Sequence, residues 1–266
     1  MTGRRMRPEL PVDAVRLAVG TLTILHTRAP QRVDSVTWGG AMQLAPLVGL
    51  VLGSLAWVLA WGVQERSDST LLASTCAVGA LAVLTRGLHL DGLADVADGL
   101  GSRKSPEEAR AIMRRSDIGP FGVVVVVLTL FLQIAAIQVA LNVSAIVGAL
   151  AVVGGAAVSR TALTAAARRG VPAASDGLGS SVIGSVSPVS AATLCGVVVA
   201  ALGVAGAGDS ARTALCAVTA ALVALFLAEW WRRHCVRRMG AVTGDVLGSI
   251  EELAFTTLTL LLALMI

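Results

Sequence analysis

The chain has 266 residues, of which 55% are hydrophobic and only 14% charged, against about a quarter charged in soluble domains; it reads as a polytopic membrane protein. A net charge of +4 comes from basic residues grouped between apolar runs without interleaved aromatics, which excludes a nucleic-acid binder. Cys76, Cys195, Cys216 and Cys235 are widely spaced, with no CxxC and no His at ligand spacing, which excludes a disulfide framework and a zinc site.

Arg4, Arg5 and Arg7 precede an apolar stretch, but Asp13 and Arg16 interrupt it and no small-residue cleavage site follows, so it is not read as a secretory signal. Its polar positions Asp13, Arg16, Gly20, Thr23 and Thr27 keep helical spacing, which predicts an amphipathic helix lying in the membrane interface. Apolar runs long enough to span a bilayer, which takes about 20 residues, then follow at Trp38–Val63, Thr70–Leu88, Phe121–Leu141, Ser144–Ala167, Pro188–Ala207, Ala214–Trp231 and Gly248–Ile266. The expected fold is therefore all-α, a helical membrane bundle of about seven transmembrane helices plus the N-terminal interfacial helix, in a single domain spanning 1–266.

Between the runs, Ser105-Pro106-Glu107-Glu108 predicts a helix start, with Ser105 as N-cap and an acidic first turn. Gly119-Pro120 stops that helix. Residues 168–187, rich in Gly, Ser and Pro and carrying Arg168, Arg169 and Asp176, form a loop longer than a hairpin needs, and such loops often close over sites. Arg160 is isolated in an apolar run, so it either snorkels to the interface or faces a polar cavity. Of the 21 Lys and Arg, 19 fall on one side of these spans and only Arg66 and Arg212 on the other. The positive-inside rule then places segments 86–120, 168–187 and 232–247 in the cytoplasm and the C-terminus outside, in a multi-pass protein of the plasma membrane, the inner membrane of the cell.

The stretch His89-Leu90-Asp91-Gly92-Leu93-Ala94-Asp95-Val96-Ala97-Asp98-Gly99 puts three carboxylates into a chain that otherwise avoids charge. At i, i+4 and i+7, Asp91, Asp95 and Asp98 share one narrow arc of a helix, where like charges repel unless a cation neutralises them. Oxygen donors without Cys or a second His favour a hard ion, Mg²⁺ with Mn²⁺ as a substitute. Asp245 and Glu252, also seven apart, form a second stack at the start of the last span, whereas Glu251 points elsewhere. Arg103, Lys104, Arg114, Arg115, Arg237 and Arg238 stand nearby. Acid for metal and base for phosphate is the combination phosphoryl transfer needs.

The Asp motif, then Ile112-Met113-Arg114-Arg115-Ser116-Asp117-Ile118-Gly119-Pro120-Phe121-Gly122, then Thr243-Gly244-Asp245-Val246-Leu247-Gly248 with Glu252, resemble the cobalamin synthase family, the adenosylcobinamide-GDP ribazoletransferases. The likeness runs in order over nearly the whole chain and includes Pro46-Leu47-Val48-Gly49. One departure is Ala241, where the family's third motif carries a second glycine after Gly240. The resemblance implies a Mg²⁺-dependent transfer of adenosylcobinamide phosphate from adenosylcobinamide-GDP to α-ribazole or its 5′-phosphate, with release of GMP. It also implies Asp91, Asp95, Asp98, Asp245 and Glu252 as metal ligands, with one Asp, Asp98 for preference, or a metal-bound water as the base, and His89 either in catalysis against the substrate or as a structural partner of the carboxylates. Substrate contacts would fall to Arg103, Arg114, Arg115, Asp117, Arg160, Arg238 and Thr243. The partners are the two substrates and the lipid bilayer, with self-association into a homo-oligomer left open. Two other classes compete: a lipid enzyme of the CDP-alcohol phosphotransferase or prenyltransferase type, and a divalent-cation transporter. The first expects an Ala-Arg continuation where Asp95-Val96 stands; the second needs carboxylates along a path through the membrane, whereas these gather on one side.

Overall fold

The computed structural model describes residues 9–115, 117–175 and 177–266. Arg4, Arg5 and Arg7, Ser116 of the second motif and Asp176 of the long loop lie outside the described residues.

Twelve helices and no strand occur among the described residues. Helix α1 (Glu9–Leu22) leads by a loop to α2 (Ser35–Ser67), which is capped by Asp34 and long enough to cross a membrane. A short turn returns the chain into α3 (Thr70–Leu84). The second span expected from the sequence is shortened here. At about 1.5 Å per residue α3 rises only about 22 Å, and the chain then bends by 87° into α4 (Leu88–Gly101). Arg86 and Gly87 make that bend in the left-handed region, at φ 57° and 66°. The Asp motif therefore occupies a helix of its own, set across the end of the bundle.

Helix α5 (Pro106–Met113) starts with the expected cap, which proves to be a full capping box between Ser105 and Glu108. Helix α6 (Pro120–Val143) spans again, and a tight turn at Ser144 leads into α7 (Ala145–Ala149), one π turn (Leu150–Gly154) and α8 (Gly155–Ala166), which together make one span. Within 168–187 lies the short helix α9 (Gly177–Val182). Helix α10 (Pro188–Ala207) has the bounds expected for that span. Helix α11 (Ala211–Met239) runs eight residues past the expected end at Trp231, so Arg232, Arg233, Arg237 and Arg238 are helical rather than part of a connecting segment. Helix α12 (Gly244–Met265) likewise begins earlier than expected, with Thr243 as N-cap and Asp245 in its first turn.

Six helices are long and apolar enough to cross a membrane, and the bent α3–α4 pair makes a seventh candidate. One end of the bundle gathers the α1–α2 loop, α4, α5, α9 and the 240–243 turn. The other holds Arg66 and Arg212, the latter bonded from Nη2 to the Met265 carbonyl at 3.0 Å. Alanine dominates the contacts between spans: Ala56, Ala60, Ala73, Ala77, Ala217 and Ala221 are fully buried, since small side chains let helices approach where lipid provides little hydrophobic drive.

Candidate active site

A cleft of about 240 Å³ opens at the charged end, lined by Asp91, Asp245, Thr243, His89, Arg110 and Arg114 among others. Its carboxylates come from α4 and α12, which meet at two glycines. A Cβ on Gly92 would stand 2.7 Å from the Asp245 carbonyl oxygen, and one on Gly248 would stand 3.1 Å from the His89 carbonyl oxygen. At Gly92 only hydrogen lets the two backbones come this close, and at Gly248 a methyl group would be a tight fit. The approach brings Asp95 under the charges of Asp245, Asp91 and Asp98, in falling order, with no basic partner among them.

The other walls come from distant parts of the chain. Ile24 N–H donates to the Leu84 carbonyl at 2.7 Å and Arg86 Nη2 to the Gly20 carbonyl at 3.3 Å, which seats the end of α1 on the α3–α4 bend and puts Thr21 and Leu22 in the cleft. Asp13, expected on the polar side of an interfacial helix, is instead buried and accepts from the amides of Gln31 and Arg32 at 3.1 Å each. Burial raises its pKa, but those amides and Arg16 outweigh it and hold the carboxyl below the usual range. The 168–187 loop is pinned to the 240–244 turn by Ala174 N–H to Val242 O and Val242 N–H to Pro172 O, so Gly177 and Val182 complete the cleft.

The residues singled out from the sequence separate into three places. Asp91, Asp245, Thr243, Arg114 and His89 line the cleft, and Asp95 adjoins it. Asp98 does not line it: Oδ2 accepts from Gly119 N–H at 2.7 Å and Oδ1 from Gly122 N–H at 3.0 Å, so this carboxylate holds the start of α6. That bonding disfavours Asp98 as the base, since both oxygens already accept hydrogen bonds from the backbone. Arg103, Arg115, Asp117 and Arg238 are exposed and outside the cleft lining, in loops or at the end of α11.

Glu252 lies about 10 Å deeper along α12, at about 1.5 Å per residue, where it accepts from Gln133 Nε2 at 2.8 Å. Arg160 is turned inward rather than snorkelling, bonded to Glu251 and to Ser159 in the bundle interior, and does not line the cleft. Glu251 also faces His89, whose Nδ1 lies 3.4 Å from its Oε2, while His89 Nε2 is buried without a hydrogen-bond partner among the described residues. Sequence reasoning missed Glu251 and Arg110. Arg110 Nη1 donates to the Met239 carbonyl at 2.9 Å, tying α5 to the end of α11. The helical spacing of Arg110, Met113 and Arg114 on α5 was the available signal for it.

The donor set suits a hard divalent cation: Asp91, Asp95 and Asp245 offer only oxygen and crowd one another electrostatically. Among the described residues no group of three or more His, Cys, Asp or Glu side chains is placed to hold a metal ion. Mg²⁺ takes one or two carboxylates with waters and substrate phosphates rather than a protein cage, and the cleft fits that pattern.

The fold and cleft together define a multi-pass membrane protein with paired carboxylates and guanidinium groups at one end of its bundle. The chain belongs to the cobalamin-5-phosphate synthase family, whose sequence profile matches residues 14–264. A relative from Frankia casuarinae, named adenosylcobinamide-GDP ribazoletransferase, is 39% identical over 94% of this chain and 94% of its own length. Relatives of the same name from Nocardioides sp. and Corynebacterium efficiens are 42% and 32% identical over 91% and 89% of this chain, and 94% and 86% of their own. No solved structure matches the chain.

Proposed function

We propose that this chain is an adenosylcobinamide-GDP ribazoletransferase that works in the α4–α12 cleft. A hydroxyl oxygen of α-ribazole, or of its 5′-phosphate, attacks the corrinoid-side phosphorus of adenosylcobinamide-GDP. The new P–O bond forms as the bond to the bridging pyrophosphate oxygen breaks, and GMP leaves with that oxygen. The observation that carries this reading is the meeting of Asp91 and Asp245, far apart in sequence, with Arg110 and Arg114 in one cleft.

Asp245 Oδ2 accepts from the Thr243 hydroxyl at 3.3 Å, which leaves Oδ1 to take the proton of the attacking hydroxyl. Arg110 and Arg114 offset charge on the departing phosphate. Glu251 orients His89, and Asp98 fixes the α4–α6 corner; both position the cleft from behind. Asp91 and Asp245, with Asp95 adjoining them, would hold Mg²⁺ or Mn²⁺. When bound, the ion neutralises charge on the pyrophosphate. The 19-to-2 distribution of basic residues supports a cytoplasmic cleft in the plasma membrane.

The test is GMP release by the purified full chain in lipid, with both substrates, with and without Mg²⁺. Asp91→Asn and Asp245→Asn should each cut the rate at least about 100-fold and raise the Mg²⁺ needed for half-maximal rate. Their double variant should lose far less than the product of the two, as groups acting as a unit do. Glu65→Gln, at the opposite end, should be neutral. Near-normal turnover in either single variant would refute the assignment.

A further inference from the structure

On the far side of α8 from the cleft, a second groove of about 350 Å³ runs between α8, α10 and α11. Its walls are small and apolar, with Ala162, Ala165, Ala191 and Ala228 among them. At its mouth three guanidinium groups share one carboxylate: Arg168, Arg232 and Arg233 lie 2.9, 2.8 and 2.7 Å from Glu229 Oε1. Two positive charges therefore remain uncompensated. Arg233 is 64% exposed and uses only its Nε on Glu229, so its Nη groups make no hydrogen bond among the described residues.

The surroundings indicate what such a group faces. Next to Glu229 on α11 the side chains of Phe226 and Trp230 are 68% and 49% exposed, and on α10 Val189 and Val197 are 76% and 59% exposed, so this flank is the apolar perimeter of the bundle. Tryptophan at the end of a span marks the headgroup level. The arginines thus stand where a lipid phosphate would be, above an apolar slot wide enough for an acyl chain, and basic pockets between spans suit anionic headgroups.

We propose that this groove is a binding site for an anionic phospholipid, with its phosphate on Arg168, Arg232 and Arg233 and one acyl chain lying along the alanine walls. Bound lipid joins α8, α10 and α11 at the end of the bundle where the 168–187 loop departs, so occupancy stabilises the folded chain.

The test is thermal unfolding of the full chain in a neutral detergent with added dioleoyl phosphatidylglycerol, dioleoyl phosphatidylcholine or inorganic phosphate. Phosphatidylglycerol should raise the midpoint by at least about 3 °C, a shift readily measured for a domain of this size, while the other two leave it unchanged. Two variants should lose most of that rise: Arg168→Gln with Arg233→Gln, which removes charge, and Ala192→Trp, which fills the groove from the perimeter without touching an ion pair. Asp245→Asn should keep it, which separates this site from the cleft. Native mass spectrometry of the unmodified chain, offered an equimolar mixture of the two lipids, should retain phosphatidylglycerol selectively. An equal rise with phosphatidylcholine, a rise matched by inorganic phosphate, unselective retention, or persistence of the rise in either variant would each overturn the proposal.

Discussion

Gly92→Ala tests whether the close approach of α4 and α12 is what makes the site. The added Cβ would lie 2.7 Å from the Asp245 carbonyl oxygen and 2.9 Å from the Asp245 Cα, both backbone atoms with no rotamer to yield. Restoring ordinary contact requires the helices to part by about 0.8 Å, given optimal heavy-atom separations near 3.5 Å. Overpacking of this kind costs about 1–3 kcal/mol, which leaves the chain folded. The displacement falls between Asp91 and Asp95 on one side and Asp245 on the other, and misplacement by about 1 Å costs about 100-fold in rate. The expected result is a loss of roughly 30- to 100-fold in GMP release, with helical content unchanged and a higher Mg²⁺ requirement. Gly79→Ala in α3 is the control, because a Cβ there meets nothing within 4 Å. A Gly92→Ala enzyme as fast as the Gly79→Ala enzyme would refute the idea that this contact sets the carboxylate geometry.

Three further outcomes follow from the same contacts. Arg160→Met should lower thermal stability by about 3–5 kcal/mol because it strands buried Glu251, and adding Glu251→Gln should recover part of that loss; a double variant less stable than Arg160→Met would contradict it. Asp98→Asn keeps one acceptor oxygen for two amides, so the melt should show a loss of about 1–2 kcal/mol with little change in Mg²⁺ requirement, in contrast to Asp245→Asn. Because the Asp13 carboxyl is held below its unfolded value of 3.8, the stability it gives the 23–34 loop is complete above that value and declines as pH falls through the lower folded one. Hydrogen exchange at the Gln31 and Arg32 amides should accelerate over that window, and in Asp13→Asn it should be fast at every pH; pH-independent protection in the unmodified chain would sink this reading.

Much of the molecule is written locally. Apolar runs, Pro188 and the Ser105–Glu108 box depend only on chain periodicity and cap chemistry, so α5 and α10 fall where the sequence puts them. The Asp motif and its likeness to one family are also local, which is why the function was readable before the fold.

What each carboxylate does was not readable, because helical spacing gives a residue's face but not what lies opposite. Asp91, Asp95 and Asp98 share an arc, yet the start of α6 arrives beside Asp98 and takes both its oxygens. Spacing paired Glu252 with Asp245, but Arg160 of α8 meets Glu251 instead. Whether Arg160 snorkels or turns inward is undecided by an apolar run, and it turns inward because its span is 83% buried between neighbours. The 87° bend at Arg86-Gly87, the contact at Gly92 and Gly248, and the packing of α8 are relations between distant segments. Tertiary structure alone decides which acids face a substrate and which hold the bundle together.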